Sequence, residues 1–193
     1  MNLSTGVKEF IEENIELIES EYFRKLDDRA SMQTSENGYS KGELYEVLLR
    51  AGINPLPYLP LVPFGFLRDT TLEGSFIIPG NCIDVISRAF YNCSLSEIII
   101  EEGVMSIGAL ACARSDKLEK VYIPSSMLNL GNGIFVGCNN MREVVYDGTY
   151  EDFKKLYNNT SNPHPWFGTI AGLASTNCIL KCKDQDISLR IDI

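Results

Sequence analysis

Residues 95–123 read LSEIIIEEGVMSIGALACARSDKLEKVYI, and this stretch contains one short pattern twice. Leu95 is followed three residues later by Ile98, and Leu118, 23 residues after Leu95, is followed three residues later by Val121. The β-branched runs that begin at Ile98 and Val121 are typical of strands. A unit that recurs with a period of about 20–50 residues predicts a solenoid, in which each turn buries its apolar face against its neighbours.

The same period continues on both sides of this stretch, in three independent columns of residues. The first column holds large apolar residues at spacings of 23, namely Leu72, Leu95, Leu118 and Met141. The second holds the pairs Phe66-Leu67, Ala89-Phe90, Ala111-Cys112 and Ile134-Phe135, and the third holds the small residues Thr70, Cys93, Ser115 and Cys138. These columns predict an α+β fold with a short solenoid of four repeats of about 23 residues, whose strands form a parallel sheet.

The first repeat departs from this register. The gap from the small residue to the leucine is two residues in the first two repeats and three in the last two. An extra residue near the end of the first strand compensates, so the side of the sheet that Ile77 and Ile78 face stays open. Ile86 stands where Gly108 and Gly131 stand, which predicts a different turn because isoleucine disfavours a positive φ.

The N-terminal segment, residues 1–60, predicts a helical cap. Apolar residues recur at helical spacing between Val7 and Tyr22. Ser40 and Glu43 have the spacing of a capping box, and Gly52 stands where a glycine commonly ends a helix. A terminal cap is expected because the end layer of a solenoid would otherwise expose its core and an unpaired strand edge.

The bulk composition excludes several classes of partner. The chain has 193 residues and a formal net charge of −9, which argues against binding to nucleic-acid phosphates or to an anionic membrane surface. No apolar run is long enough to span a bilayer, and residues 1–10 lack the features of a signal peptide. We therefore predict a cytoplasmic protein, and expect its six cysteines to be free thiols.

The repeats resemble a known family. Ser106-Ile107-Gly108, Ala111-Cys112, Ser115, Leu118 and Val121-Tyr122-Ile123-Pro124 are similar to the BspA-like (Treponema pallidum-type) leucine-rich repeat, and the next repeat is similar from Leu130-Gly131 to Val144. The resemblance covers about residues 61–149, which we take as the solenoid. It implies a non-enzymatic binding role, and the N-terminal segment resembles the small phage or bacterial members, which implies the host cytoplasm for a phage-encoded chain.

The resemblance extends more weakly into residues 150–193. Tyr146-Asp147-Gly148-Thr149 resembles the start of the helix that often closes such arrays, and residues 178–184 resemble the strand that often follows it. The resemblance thus implies a C-terminal cap made of a helix and a hairpin.

No residue pattern predicts catalysis, a cofactor or a metal. The single histidine, His164, lies between two prolines, and no cysteine has a recognisable nucleophile context. Cys178 and Cys182 supply only two ligands where zinc requires four. Cys93 and Cys138 fall in the small-residue column and are interpreted as buried repeat positions.

The most informative surface is the outer face of the predicted sheet. Side chains alternate along a strand, so one residue of each run points outward. In a single phase these residues are Phe76, Ile99, Tyr122 and Val145. The charged residues Glu97, Lys120 and Glu143 border them. An apolar row with a charged rim is typical of a protein-interaction site.

These observations predict a non-enzymatic module or scaffold that binds a protein partner through the sheet face. Two alternatives stay open: a structural protein that self-assembles into homo-oligomers, and a phage-type inhibitor of a host enzyme or defence protein. A further possibility is that the row is covered by the N-terminal helices or by the segment around Trp166 and Phe167.

Overall fold

The computed structural model describes residues 41–50, 52–158 and 178–188. The predicted N-terminal helix between Val7 and Tyr22, and the segment around Trp166, lie outside these residues. In chain order the elements are α1 (Lys41–Arg50), a 3₁₀ turn (Leu56–Tyr58), β1 (Leu61–Val62), β2 (Ser75–Ile78), β3 (Asp84–Val85), β4 (Glu97–Ile100), β5 (Ser106–Ile107), β6 (Lys120–Ile123), β7 (Asn129–Leu130), β8 (Glu143–Tyr146), α2 (Tyr150–Asn158), β9 (Ile179–Lys181) and β10 (Asp186–Ser188).

The strands form two sheets, and each turn of the chain contributes one strand to each. The long sheet has six strands in the order β2-β4-β6-β8-β9-β10, and all neighbours are parallel except the β9–β10 hairpin. The short sheet has the parallel order β1-β3-β5-β7. The predicted solenoid of about four turns with a parallel sheet is confirmed. The short sheet was not predicted, because its strands are only two residues long.

The core lies between the two sheets and follows the three repeat columns. Along β4, β6 and β8 the second and fourth residues are buried and the first and third are partly exposed. Leu95, Leu118 and Met141 are fully buried beneath these strands. Complete burial of such a side chain stabilises the fold by about 1.5–3 kcal/mol, so the column that defines the period also supplies much of the core.

The first turn differs from this pattern, and the prediction that Phe76 points outward is wrong. Phe76 is buried and pairs in register with Ile98, whereas Ile77 is exposed and pairs with Ile99. Leu72 lies four residues before the inward-facing residue of its strand, where Leu95 lies three residues before Ile98. Because side chains alternate along a strand, one extra residue ahead of the strand exchanges its two faces.

The small-residue column is buried and its polar members are hydrogen bonded. Thr70 Oγ1 donates to the carbonyl of Leu67 at 2.7 Å, and Ser115 Oγ donates to the carbonyl of Phe90 at 2.9 Å. Ser115 Oγ also accepts from the backbone N–H of Cys93 at 3.2 Å. These bonds offset the cost of burying a hydroxyl group.

Gly108 and Gly131 are required for a reason other than the one predicted. Neither has a positive φ. Instead, a Cβ atom on Gly108 would lie 2.3 Å from the backbone N of Ser87, and a Cβ on Gly131 would lie 2.4 Å from the backbone N of Ala109. Successive turns therefore touch backbone to backbone beside the short sheet, and only glycine fits there.

Helices close the described solenoid near both ends. Near the first turn, the ring of Tyr45 in α1 packs at a tilt against that of Phe66, with centroids 4.6 Å apart. Glu46 accepts hydrogen bonds from the Thr71 backbone N–H at 3.2 Å and hydroxyl at 2.9 Å. Gly52, at φ 80°, ends α1 as predicted. The predicted division of the chain at residues 60 and 149 stays a prediction.

At the other end, α2 and the hairpin follow the last turn, as the resemblance implied. Thr149 Oγ1 accepts from the backbone N–H of Asp152 at 3.2 Å and so caps the first turn of α2. Phe153 of α2 is buried and packs its ring against Tyr146, with centroids 5.3 Å apart. The strand β9 then pairs in parallel with β8.

Candidate interaction surface

The outer face of the long sheet carries one apolar side chain in each turn. The strands pair so that Ile77 lies beside Ile99, Ile99 beside Tyr122, and Tyr122 beside Val145. Ile77 is 49% exposed, because β2 is an edge strand, and the other three are half-buried with a strand on each side. We call these four residues the outer row. It is the predicted row with Ile77 in place of Phe76.

The predicted charged residues form a parallel line one step along the same strands. Glu97, Lys120 and Glu143 lie beside one another in register. Lys120 Nζ lies 2.9 Å from Glu143 Oε2 and 4.6 Å from the centroid of the Tyr122 ring. Lys181 Nζ, from β9, lies 2.7 Å from Glu143 Oε1. Lys120, Glu143 and Lys181 therefore form a connected network that includes the aromatic member of the outer row.

The electrostatics keep this network charged at neutral pH. The Tyr122 hydroxyl, and then Glu143, raise the pKa of the Lys120 ammonium above its usual value. Hydrogen bonds from Lys181 and Lys120 lower the pKa of the Glu143 carboxyl. Lys120 and Glu143 thus hold opposite charges across β6 and β8, and they present a polar rim beside an apolar row.

A second apolar row borders the short sheet. It consists of the residue before each short strand, namely Pro60, Ile83, Met105 and Leu128. The members of the row are joined by backbone hydrogen bonds of 2.7–2.8 Å. The N–H of Ile83 donates to the carbonyl of Pro60, that of Met105 to Ile83, and that of Leu128 to Met105. Ile83, Met105 and Leu128 are 50%, 43% and 62% exposed. We call this the border row.

Sequence reasoning missed the border row, although the sequence contains its signal. Ile83, Met105 and Leu128 recur at spacings of 22 and 23, each two residues before a buried Val85, Ile107 or Leu130. This alternation over three residues is too short to predict a strand by itself. Because only one strand was expected in each repeat, the short sheet was not foreseen, and these three residues could not be assigned to a face of it.

The cysteines do not form a reactive centre. All six are free, and five are buried. Burial raises the pKa of Cys82 and Cys178 to about 11 and that of Cys138 to about 12. Cys93 and Cys138 are buried, as predicted from their column. Since the thiolate is the nucleophilic and metal-binding form, these thiols are poor nucleophiles and poor ligands at neutral pH.

The described part of the chain has few features of a metal site or of a catalytic pocket. No three or more His, Cys, Asp or Glu side chains within it are grouped so that they could hold a metal ion. His164 lies outside the described residues. A shallow cavity of about 290 Å³ lies between the last turns and α2, and its walls include Met127, Tyr146 and Asp152. Asp152 is engaged by Thr149 and Lys155, so it is part of the helix cap.

Among the described residues, no helix has the length and apolar character that crossing a membrane requires.

The residues predicted to form the interaction site were placed correctly in part. Ile99, Tyr122 and Val145 lie together on the outer face, Glu97, Lys120 and Glu143 lie beside them, and Phe76 lies in the core. Whether this face binds a partner stays a prediction.

Comparison with known proteins identifies the repeat. A family profile described as the BspA type leucine rich repeat region matches residues 66–162 in six copies, which is half of the 193-residue chain. The matched segment contains β2 to β8 and α2. No curated protein and no solved structure matches the chain. The chain belongs to the BspA-type leucine-rich repeat family.

Proposed function

We propose that this protein is a non-enzymatic interaction module that binds a protein partner through the outer row of its long sheet. Its family consists in general of protein-interaction modules that are typically non-enzymatic. The observation that carries the proposal is the row itself: Ile77, Ile99, Tyr122 and Val145 lie side by side across four strands in register.

The composition of the row fits the anatomy of a protein interface. Apolar and aromatic side chains form the centre of most interfaces, and tyrosine is enriched among the residues that dominate binding energy. Tyr122 stands in the third of the four strands, with Ile99 and Val145 on either side. Burial of these side chains against a partner would supply the apolar contribution to affinity.

The charged line beside the row supports specificity. Lys120 is held between Glu143 and the face of the Tyr122 ring. A side chain fixed in this way loses little conformational freedom when a partner binds, so the polar rim is preorganised. The rim then favours partners whose charges complement the order of Glu97, Lys120 and Glu143.

The border row is a second candidate surface for the same function, because all four of its members are exposed, whereas Ile77 alone is exposed in the outer row. It has fewer features of an interface centre. It contains no aromatic residue. Beside it, the Ser106 hydroxyl donates a hydrogen bond to Asp84 Oδ1, with an O···O distance of 2.5 Å. We therefore assign the partner to the outer row.

Affinity capture from the native cell, followed by mass spectrometry, tests the assignment. The bait is the wild-type chain, compared with an Ile99→Asp, Tyr122→Ala double variant and with Met105→Asp on the border row. The proposal expects the partner to be lost with the double variant and retained with Met105→Asp, while circular dichroism shows that both remain folded.

Retention of every captured protein by the folded double variant would refute the assignment. Loss with Met105→Asp alone would transfer the site to the border row. Light scattering on the purified chain separates partner binding from self-assembly, since an oligomer that the double variant dissociates would make a second copy of the chain the occupant of the row.

A further inference from the structure

A cluster of two arginines around one tyrosine lies on the turns between the two sheets. Tyr91, in the second turn, has the guanidinium of Arg68 from the first turn 5.3 Å from its ring centroid. The guanidinium of Arg114, from the third turn, lies 5.9 Å from the same centroid. In a chain with a net charge of −9, this concentration of positive charge requires an explanation.

The backbone conformation of Arg114 also requires an explanation. Asp69, Asn92, Arg114 and Gly137 occupy one column of the turns, and all four have a φ between 54° and 79°. Aspartate, asparagine and glycine are the residue types that tolerate this left-handed conformation, whereas a long side chain is strained there. Arginine is therefore the costly choice in its column, and Arg88 and Leu110, each with a φ of 57°, carry the same cost in the neighbouring column.

The charges of the cluster are only partly neutralised by the protein. Arg68 Nε donates to Asp69 Oδ2 at 3.1 Å, and the same carboxylate accepts from Asn92 Nδ2 at 2.8 Å. Arg68 Nη1 is buried, and no acceptor reaches it within the described residues. Arg114 is exposed and makes no ion pair in that part of the chain. The Asp69 carboxylate thus pairs with Arg68 alone, and the guanidinium of Arg114 has no carboxylate partner among the described residues.

From this geometry we propose that Arg68, Tyr91 and Arg114 form a carboxylate-binding site for an acidic segment of a partner protein. A guanidinium presents two parallel N–H donors that match the two oxygens of a carboxylate. The tyrosine ring holds both guanidinium groups by cation–π contact, so they lose little freedom when a ligand binds. Because Arg68 Nη1 is buried and Arg68 Nε is bound to Asp69, the exposed Arg114 guanidinium supplies the paired donors, and Arg68 adds positive charge on the same ring.

The rest of the chain favours a short acidic peptide over a nucleic acid. Binding of a nucleic-acid backbone requires several phosphates to be neutralised together, and the chain as a whole carries a net charge of −9. A glutamate or aspartate side chain needs only one guanidinium group with two free donors, which Arg114 supplies. The site is independent of the outer row, since the two use different residues on different faces.

Fluorescence anisotropy with a labelled hexaglutamate peptide tests the proposal on the full-length chain at low salt. The variants are Arg114→Gly, Arg114→Lys and, as a matched control, Arg142→Gln, which removes an exposed arginine that pairs with Glu119. We expect Arg114→Gly to weaken binding by about three- to tenfold and Arg114→Lys to recover part of it, since lysine keeps the charge but lacks the paired donors. Arg142→Gln leaves the affinity unchanged.

A thermal melt of the same variants separates binding from structure. Glycine relieves the left-handed strain, so Arg114→Gly should keep or raise the melting temperature by about 2 °C while it loses affinity. A melting temperature that falls together with the affinity would give Arg114 a structural role and overturn the proposal.

Two further outcomes would also overturn it. One is equal binding of a hexaglutamine peptide, and the other is tighter binding of an oligothymidine of the same charge with the same dependence on Arg114.

Discussion

The outer row and the border row present the same repeat in two different ways. Each places one apolar side chain per turn on the surface, yet only the outer row has an aromatic member and an ion-pair network beside it. The border row is more exposed, and its backbone is linked from turn to turn by hydrogen bonds of 2.7–2.8 Å. A solenoid turns every outward column into a row, so exposure alone does not identify a binding surface. The residue types in a row and the charges beside it are needed to identify the binding surface.

The largest effect should come from the first turn, where the outer row differs from its prediction. Phe76→Ala removes a buried ring that lies 5.7 Å from the Phe66 ring and 5.8 Å from the Phe90 ring, between centroids. We expect a loss of about 3–5 kcal/mol in the free energy of unfolding. Ile77→Ala, one residue later on the exposed face, should cost less than about 1 kcal/mol. Urea denaturation measures both.

The pair of variants is its own control, because both lie in β2 and both shorten a large apolar side chain. Equal losses for Phe76→Ala and Ile77→Ala would mean that the face assignment of the first turn is wrong. The outer row would then need a different first member.

The next effect concerns the short sheet, where backbones touch directly. A methyl group on Gly131 would lie 2.4 Å from the backbone N of Ala109 and the backbone C of Gly108. Backbone cannot move aside as a side chain can, so we expect Gly131→Ala to cost about 2–3 kcal/mol by urea denaturation. Gly74→Ala is the comparison, since its Cβ would meet nothing within 4 Å.

Gly74 has a φ of 91°, so alanine there should cost only about 1 kcal/mol of conformational strain. If Gly74→Ala proves as costly as Gly131→Ala, close approach is not what makes the glycines beside the short sheet necessary.

A third effect separates the two rows as binding surfaces once a partner has been captured. Tyr122→Ala should weaken binding of the partner by at least about 2 kcal/mol, or roughly thirtyfold in Kd, because loss of a central tyrosine removes the most contact area. Met105→Ala on the border row should change Kd by less than about threefold. Isothermal titration calorimetry measures both values, and the reverse ranking would assign the partner to the border row.

Much of this arrangement could be predicted from the sequence, because the period of the repeat fixes which residues share a layer. The Leu95, Leu118 and Met141 column, the buried Cys93 and Cys138, and the outward Ile99, Tyr122 and Val145 all follow from one spacing. A parallel stack amplifies a weak local pattern, because each turn has to repeat the packing of the one before.

The failures have equally local causes. Phe76 was placed outward because one extra residue before β2 leaves the 23-residue leucine spacing unchanged while it exchanges the faces of the strand. The arginine site around Tyr91 could not be predicted, since Arg68 and Tyr91 occupy one column of the repeat and Arg114 occupies the next. Their meeting depends on side-chain reach across turns, which the period does not encode.

The smallest effect should be seen in the charged network that distinguishes the outer row. The Lys181 and Lys120 hydrogen bonds lower the pKa of Glu143 below its ordinary value of 4.5. A carboxyl group whose pKa is lower in the folded state contributes stability above that ordinary value, and the contribution is lost as the pH falls through the lowered pKa. Glu143→Gln should therefore cost about 0.5 kcal/mol at pH 7 and progressively less as the pH falls below 4.5.

Urea denaturation at a series of pH values, with Glu97→Gln as the control, isolates this contribution from other carboxyl groups. Glu97 lies on the same line of the sheet but contacts Ser75 instead of a lysine, so its variant removes a carboxyl group from this line without breaking the Lys120–Glu143–Lys181 network. A Glu143→Gln profile parallel to that of the wild type would show that the network adds no stability. The outer row would then differ from the border row in its aromatic side chain and not in its charges.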